Sequence, residues 1–173
     1  MSGSTALRLM IILQLIFASF GTHAQERDRN KIPDKYKWNL ADIYPTEEAW
    51  KKAKNQLIAD LPKVEEYKGK LGASAQQMLA SMDFGAKVNK EFARLSVYAG
   101  MISDQDTRDA AHVAMTQEMR QVGADFAARM SFIEPEILKM DKATLGKWMA
   151  QEPRLKTYTH YLDDIQRRAP HTL

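Results

Sequence analysis

A chain of 173 residues with 45% hydrophobic and 27% charged side chains, 8 Gly and 6 Pro has the composition of one soluble globular domain, able to bury roughly two thirds of its unfolded surface. The absence of Cys excludes a disulfide scaffold, a zinc ribbon, a thiol nucleophile and an iron–sulfur site together, because each draws sulfur from the protein. Lys and Arg number 25 against 22 Asp and Glu, a net +3 with no basic run longer than pairs such as Lys51-Lys52 or Arg167-Arg168, so no nucleic-acid partner is expected.

Residues 1–24 differ from everything after them. Arg8 is their one charged side chain, Leu9 to Phe20 is almost wholly apolar, and Gly21-Thr22-His23-Ala24 leads into the polar Gln25-Glu26-Arg27. That order of basic, apolar and small-residue regions predicts a secretory signal peptide, cut after Ala24. The apolar run is shorter than the roughly 20 residues of a bilayer-crossing helix, so no stable membrane span is expected. An uncut anchor is the weaker reading, carried only by Thr22 being larger than the residue usual three places before a cut. A buried amphipathic helix is excluded because the run has no polar face. The expectation is therefore an exported protein, periplasmic or secreted, whose mature chain loses Arg8 and drops from +3 to +2.

Residues 25–45 predict an extended N-terminal arm. After Ile32-Pro33, Tyr36, Trp38 and Leu40 alternate with Lys35, Lys37 and Asn39, and a period of two beside a proline is extended chain. With no strand to pair with, Trp38 and Leu40 are expected to pack on helices. Tyr44-Pro45 ends the arm, and Thr46 is a sound N-cap with Glu47 and Glu48 at the positive end of the helix dipole.

From 46 to 173 the pattern is helical throughout. Trp50, Ala53, Leu57, Leu61 and Val64 recur at steps of three and four, Pro62 either kinks that helix or divides it, and Gly69 and Gly72 end it. Ser74 with Gln77 forms a capping box for a second stretch bearing Met78, Met82, Val88, Phe92, Leu95 and Ile102, in which Gly85 is a candidate interruption. Asp104-Gln105-Asp106-Thr107 reads as a cap cluster for a third helix that carries Ala111, Met115, Met119, Val122, Phe126, Met130 and Ile133. Pro135 marks a new helix start, Asp141 caps the next around Leu145 and Trp148, and Pro153 opens the last, with Leu155, Tyr158, Leu162 and Ile165 facing inward. No run of β-branched residues between turn signals occurs, so the fold class is all α, a single helical domain of about five to seven helices preceded by the arm.

Chemistry-bearing residues give little. His23 leaves with the signal segment, and His112, His160 and His171 have no partner at metal-pair spacing; no HExxH occurs. His160 has Asp163 and Asp164 a turn on, an arrangement that a solvated helix face explains better than a metal contact. Asp104, Asp106 and Asp109 resemble the start of a calcium loop, yet the glycine of its sharp turn is replaced by Asp109 and the closing Glu by Met115. Met115, Met119 and Met130 suit a core better than a promiscuous groove. The pairs Glu65-Glu66 and Glu134-Glu136 would need to be buried face to face for acid–base work, and Ser131 has no His or Asp at motif spacing. The residues by themselves supply no catalytic, cofactor-binding or metal residue.

The order of landmarks carries more. Tyr36-Lys37-Trp38-Asn39-Leu40 with Ile43-Tyr44-Pro45, then Tyr67-Lys68-Gly69-Lys70-Leu71, Tyr98-Ala99 before Asp104-Gln105-Asp106-Thr107, Ser131-Phe132 with Pro135-Glu136-Ile137-Leu138, and Leu155-Lys156-Thr157-Tyr158 leading to Arg167-Arg168-Ala169-Pro170-His171-Thr172-Leu173 run through essentially all of 31–173. In that order and spacing they resemble the N-terminal region of oligoendopeptidase F, a thimet-like zinc metallopeptidase family. The resemblance implies a helical lobe that walls one side of a deep cleft in an enzyme hydrolysing short oligopeptides, with zinc held by HExxH and a downstream Glu. Those ligands belong to a C-terminal catalytic lobe absent from this sequence, so no site residue carries over and the chain is expected to hold no cofactor and to be inactive alone. The implied partners are that missing lobe and the oligopeptide substrate. The leading expectation is the N-terminal domain, as a fragment, of an exported peptidase; the competing one is a free-standing, non-catalytic helical binding protein of the periplasm. The first predicts an exposed apolar strip where the lobe would dock, with Tyr161, which lies off the inward stripe, and the stub at Leu173 contributing to it.

Overall fold

The computed structural model describes residue 28 and residues 31–171, so the predicted signal segment, its cut before Gln25 and the stub at Leu173 lie outside the described residues. The chain divides into two compact units between Lys37 and Trp38. In the first, the predicted extended arm turns instead: Asp34–Tyr36 is a 3-10 turn. Pro33 sets φ at −57°, its carbonyl accepts from Tyr36 N at 3.0 Å, and Lys37 Nζ donates to Asp34 Oδ1 at 2.9 Å. The proline that suggested extension thus starts a turn, because its fixed φ suits both.

The second unit opens with another 3-10 turn, Leu40–Asp42, tied by Asn39 Nδ2 donating to Asp42 Oδ1 at 2.9 Å. Leu40 packs on the helices as expected, but Trp38 remains 52% exposed. Helix α1 (Glu47–Asp60) starts where Thr46 Oγ1 accepts from Ala49 N at 3.1 Å. Pro62 neither kinks it nor opens a second α-helix. The chain tightens into a 3-10 segment, Leu61–Tyr67, whose Leu61 and Val64 keep facing inward. Gly69 then takes φ +77°, the left-handed conformation that costs glycine nothing.

Helix α2 (Ala75–Gln105), capped by Ser74 Oγ on Gln77 N at 3.1 Å, runs uninterrupted for 31 residues. Gly85 does not break it. A Cβ there would lie 2.8 Å from Met130 Cε, so the missing side chain admits α3 (Ala110–Met130) rather than loosening α2. The cap of α3 is Asp109, whose Oδ1 accepts from Ala111 N at 2.9 Å and His112 N at 3.4 Å. The predicted cap cluster is displaced: Asp104 stays inside α2, and Asp106 is occupied by Arg108. Ile133 belongs not to α3 but to α4 (Ile133–Leu138). Asp141 caps α5 (Lys142–Gln151) as predicted, accepting from Thr144 N at 2.7 Å. Pro153 opens a 3-10 segment, Pro153–Tyr158, before α6 (Thr159–Arg168). No strand occurs among the described residues, and the fold is all α.

Two cores share α2. Around its C-terminal half Trp50 is fully buried, donates from Nε1 to Leu95 O at 2.9 Å and stacks on Tyr98 at 6.4 Å, with Leu57, Met115 and Met119 filling in. Around its N-terminal half Leu71, Met78, Ile137, Leu155, Leu162 and Ile165 form an aliphatic cluster. Each such side chain contributes about 1.5–3 kcal/mol relative to exposure.

Candidate functional site

Midway along α2 the two cores part, and a groove of about 380 Å³ opens between α3 and the segment leading into α6. Gly85 and Ala86 are too small to fill it, Phe126 and Met130 wall one side, and Tyr158 and Tyr161 wall the other. Tyr161 stands 41% exposed beside the buried stripe of Leu162 and Ile165, where its place off the helical period put it.

The aromatic wall is held by a polar chain. Tyr158 donates its hydroxyl to Asp83 Oδ1 at 2.7 Å, and Arg154 Nη2 donates to Asp83 Oδ2 at 2.5 Å. Burial first, and then the bond to Asp83, push the Tyr158 phenol up to about 12. Burial, with Glu134 second, also raises the Tyr161 phenol. Both rings therefore stay neutral at physiological pH, and the groove they wall is lined by uncharged side chains.

A second recess, about 450 Å³ between α1 and α2, is charged instead. Lys87, Lys90, Glu91 and Arg94 line it. Tyr44 donates to Glu91 Oε1 at 2.5 Å while Arg94 meets Glu91 Oε2 at 3.0 Å and donates to Ile43 O at 2.9 Å. Burial, then Glu91, raise the Tyr44 phenol strongly.

The residues singled out in the sequence take structural places. His112 lies with Nε2 at 3.2 Å from Glu47 Oε1 and Nδ1 at 3.3 Å from Asp109 Oδ2, linking the first turns of α1 and α3. His160 is exposed, and Asp163 and Asp164 pair with Arg167 and Arg168; His171 is exposed in the final turn. The Arg108 side chain, then its backbone N–H, hold the Asp106 carboxyl down to about 2. Met115 and Met119 are core, whereas Met130 reaches the groove. Glu65 pairs with Arg129 at 2.6 Å and Glu134 with Arg168 at 3.1 Å, so neither acidic couple faces itself. Ser131 sits exposed at the end of α3. Among the described residues no three His, Asp or Glu side chains gather as a metal set, and none of the helices is long and apolar enough to cross a membrane.

Two long-range anchors escaped sequence reading. Glu136 accepts from Gly69 N at 2.6 Å and Leu71 N at 3.2 Å, and Asp83 joins Tyr158 to Arg154. Their partners lie about 65 to 75 positions away, and no local pattern announces such pairs.

The described residues thus form an all-helical region built on one long central helix between two cores, with an uncharged groove beside it. Residues 136–173 match the family model described as Oligopeptidase F. Oligopeptidase PepF of Bacillus subtilis (strain 168) is 31% identical over 158 residues, which take in 88% of this chain and 24% of that protein. The plasmid-encoded oligoendopeptidase F of Lactococcus lactis subsp. cremoris is 32% identical over 148 residues, 85% of this chain and 25% of the relative. The crystal structure of oligoendopeptidase-F from Enterococcus faecium superimposes with a TM-score of 0.68 at 26% identity, over 74% of this chain and 25% of that one. The chain thus spans about a quarter of the length of the curated relatives it matches. In sequence and in fold it belongs with the N-terminal region of the oligoendopeptidase F family.

Proposed function

We propose that the chain serves as the helical N-terminal part of an exported peptidase that hydrolyses short oligopeptides, with the Tyr158–Tyr161 groove contributing to one wall of the substrate cleft. The observation that carries this reading is the 31% identity to Oligopeptidase PepF across 88% of the chain. The groove supports it: Phe126, Met130 and Tyr161 offer an uncharged seat for a peptide side chain, and the bond from Tyr158 to Asp83 fixes one wall. The described residues do not fit a zinc ion, since no donor set of three assembles. Bond breaking is assigned to the part of the longer polypeptide outside the matched quarter, and the residues here bind and orient substrate.

The test is purification of the longer polypeptide carrying this stretch from the extracytoplasmic fraction, followed by assay on short oligopeptides with and without a chelator. The expected result is chelator-sensitive cleavage, an N-terminus at Gln25, and a rise in KM with kcat nearly kept in Tyr161→Ala. Residues 25–173 alone are expected to cleave nothing and to hold no stoichiometric zinc. Zinc near one per chain with cleavage by that piece alone overturns the reading, and a membrane-bound product retaining Met1 to Ala24 overturns its export. A product that binds peptides without cleaving them supports the free-standing binding protein instead.

A further inference from the structure

We infer that the charged recess between α1 and α2 is a binding site for a small amphipathic carboxylate, a ligand with a compact apolar body beside one anionic end, as the last residue of a peptide presents. The inference stands apart from the proposed function, because the recess shares no lining residue with the groove. Its volume of about 450 Å³ falls among those of small-molecule sites. The floor is apolar: Leu57 of α1 and Val88 of α2 are buried there, with Ala53 and Phe84 packed against the same core. An apolar group that fits over this floor gains by displacing water from it. The rim is polar, with Gln56 and Asp60 on the α1 side and Lys87, Lys90, Glu91 and Arg94 on the α2 side.

The charges on that rim are not balanced within it. Both carboxylates already have cations: Lys63, which lies outside the recess, meets Asp60 at 2.6 Å, and Arg94 meets Glu91 at 3.0 Å while Tyr44 donates to the other oxygen of Glu91. Arg94 is engaged a second time by Ile43 O. Lys87 and Lys90 are left without an ion pair among the described residues, and Asp60 acts on Lys87 only at longer range. Three residues apart on one face of α2, their ammonium groups can converge on one anion. The two features together select the ligand. Acetate or inorganic phosphate meets the lysines and leaves the floor wet, whereas an apolar amide covers the floor and leaves the lysines without a counter-charge. A carboxylate next to a branched or aromatic side chain does both. Because both lysines are exposed, solvent screens their attraction, so the floor supplies most of the affinity and the lysines supply the preference for an anion.

The test titrates the isotope-labelled 173-residue chain with N-acetyl-leucine, N-acetyl-leucine amide and acetate, read by backbone amide shifts in NMR. N-acetyl-leucine is expected to shift Gln56, Leu57, Lys87, Val88 and Glu91, with the amide about fivefold weaker and acetate at least about tenfold weaker. Lys87→Gln with Lys90→Gln should weaken N-acetyl-leucine about fivefold and bring it level with the amide, whereas Lys87→Arg with Lys90→Arg, which keeps the charge, should hold the affinity within about twofold. Lys147→Gln on α5, outside the recess, should change nothing. Acetate bound as tightly as N-acetyl-leucine overturns the inference in favour of a plain anion patch, and an amide bound as tightly overturns it in favour of a plain apolar one. Shifts centred on Tyr158 and Tyr161 assign the ligand to the groove and overturn it too, as does the absence of any shift. None of these outcomes bears on the peptidase reading, which is decided by cleavage in the longer polypeptide.

Discussion

The two ends of α2 are buried by different means. At the C-terminal end aromatic side chains are fixed by direction: Trp50 donates to Leu95 O, Tyr44 meets Tyr98 edge-on at 5.5 Å, and Tyr44 donates to Glu91. At the N-terminal end Leu71, Ile137, Leu155 and Leu162 are held by apolar area, and direction is supplied from outside the cluster. There Glu136 grips the loop at Gly69 and Leu71, and Gln166 Nε2 donates to Ile137 O and Met140 O at 3.0 Å each. The groove opens where these two modes meet. The described part of the family-model match, 136–171, runs from within α4 through α6 at the aliphatic end, while the likeness to Oligopeptidase PepF extends over both ends.

The sharpest way to break this contrast is Trp50→Ala, which removes a fully buried ring together with its indole bond to Leu95 O. The expected loss is about 3–5 kcal/mol by denaturant titration. Leu162→Ala at the aliphatic end is expected to cost about 2–5 kcal/mol, toward the lower end because neighbouring aliphatic and Met side chains can close on the space. Both variants should shift one and the same transition, because α2 runs through both cores. Two separate transitions would show that the ends fold independently and that α2 does not couple them.

A smaller effect probes the direction supplied at the aliphatic end. Glu136→Gln keeps the shape of the clamp but removes its charge and replaces one of its two acceptor oxygens by an NH2 group that cannot accept from the backbone N–H it faces, and the expected cost is about 1–3 kcal/mol. Gly69→Ala, forced to keep φ at +77° with nothing else in the way, is expected to cost about 1–2 kcal/mol. If the two costs add in the double variant, the clamp and the turn act separately; a smaller combined cost shows that Glu136 serves to hold that turn.

What could be seen in the sequence followed the range of the interaction. Thr46, Ser74 and Asp141 were legible as caps because a cap bonds three residues ahead. The same logic placed the start of α3 too early, since three aspartates compete near it and the grip of Arg108 on Asp106 leaves Asp109 to cap. Tyr161 was legible as an outlier because a 3.6-residue period exposes whatever falls off it. The groove was not, because its floor depends on Met130 meeting Gly85 and its wall on Tyr158 finding Asp83, contacts fixed only when distant helices cross. Trp38 and Pro33 misled for one reason: a two-residue period and a proline describe a local turn as well as an extended strand.

The smallest effect is a pH dependence that compares the same residue type at the two ends. The unfolded Tyr158 phenol titrates near 10 and the folded one at about 12, so the folded state holds its proton where the unfolded chain releases it. The stability this contributes is complete below pH 10 and is lost as the pH climbs from 10 toward 12. Tyr158→Phe should flatten that alkaline limb without moving the acid side, read as the difference in unfolding midpoint between pH 9 and pH 11 against the parent. Solvent reaches this ring, so the change is modest. Tyr44, raised further by deeper burial and by Glu91, should hold its proton to higher pH than Tyr158, so the loss that Tyr44→Phe removes matches that of Tyr158→Phe up to pH 11 and goes on growing above it, where the other levels off. Losses that level off together above pH 11 would mean that direction at the aromatic end contributes no more than at the groove, and the contrast between the two ends of α2 would then reduce to apolar area alone.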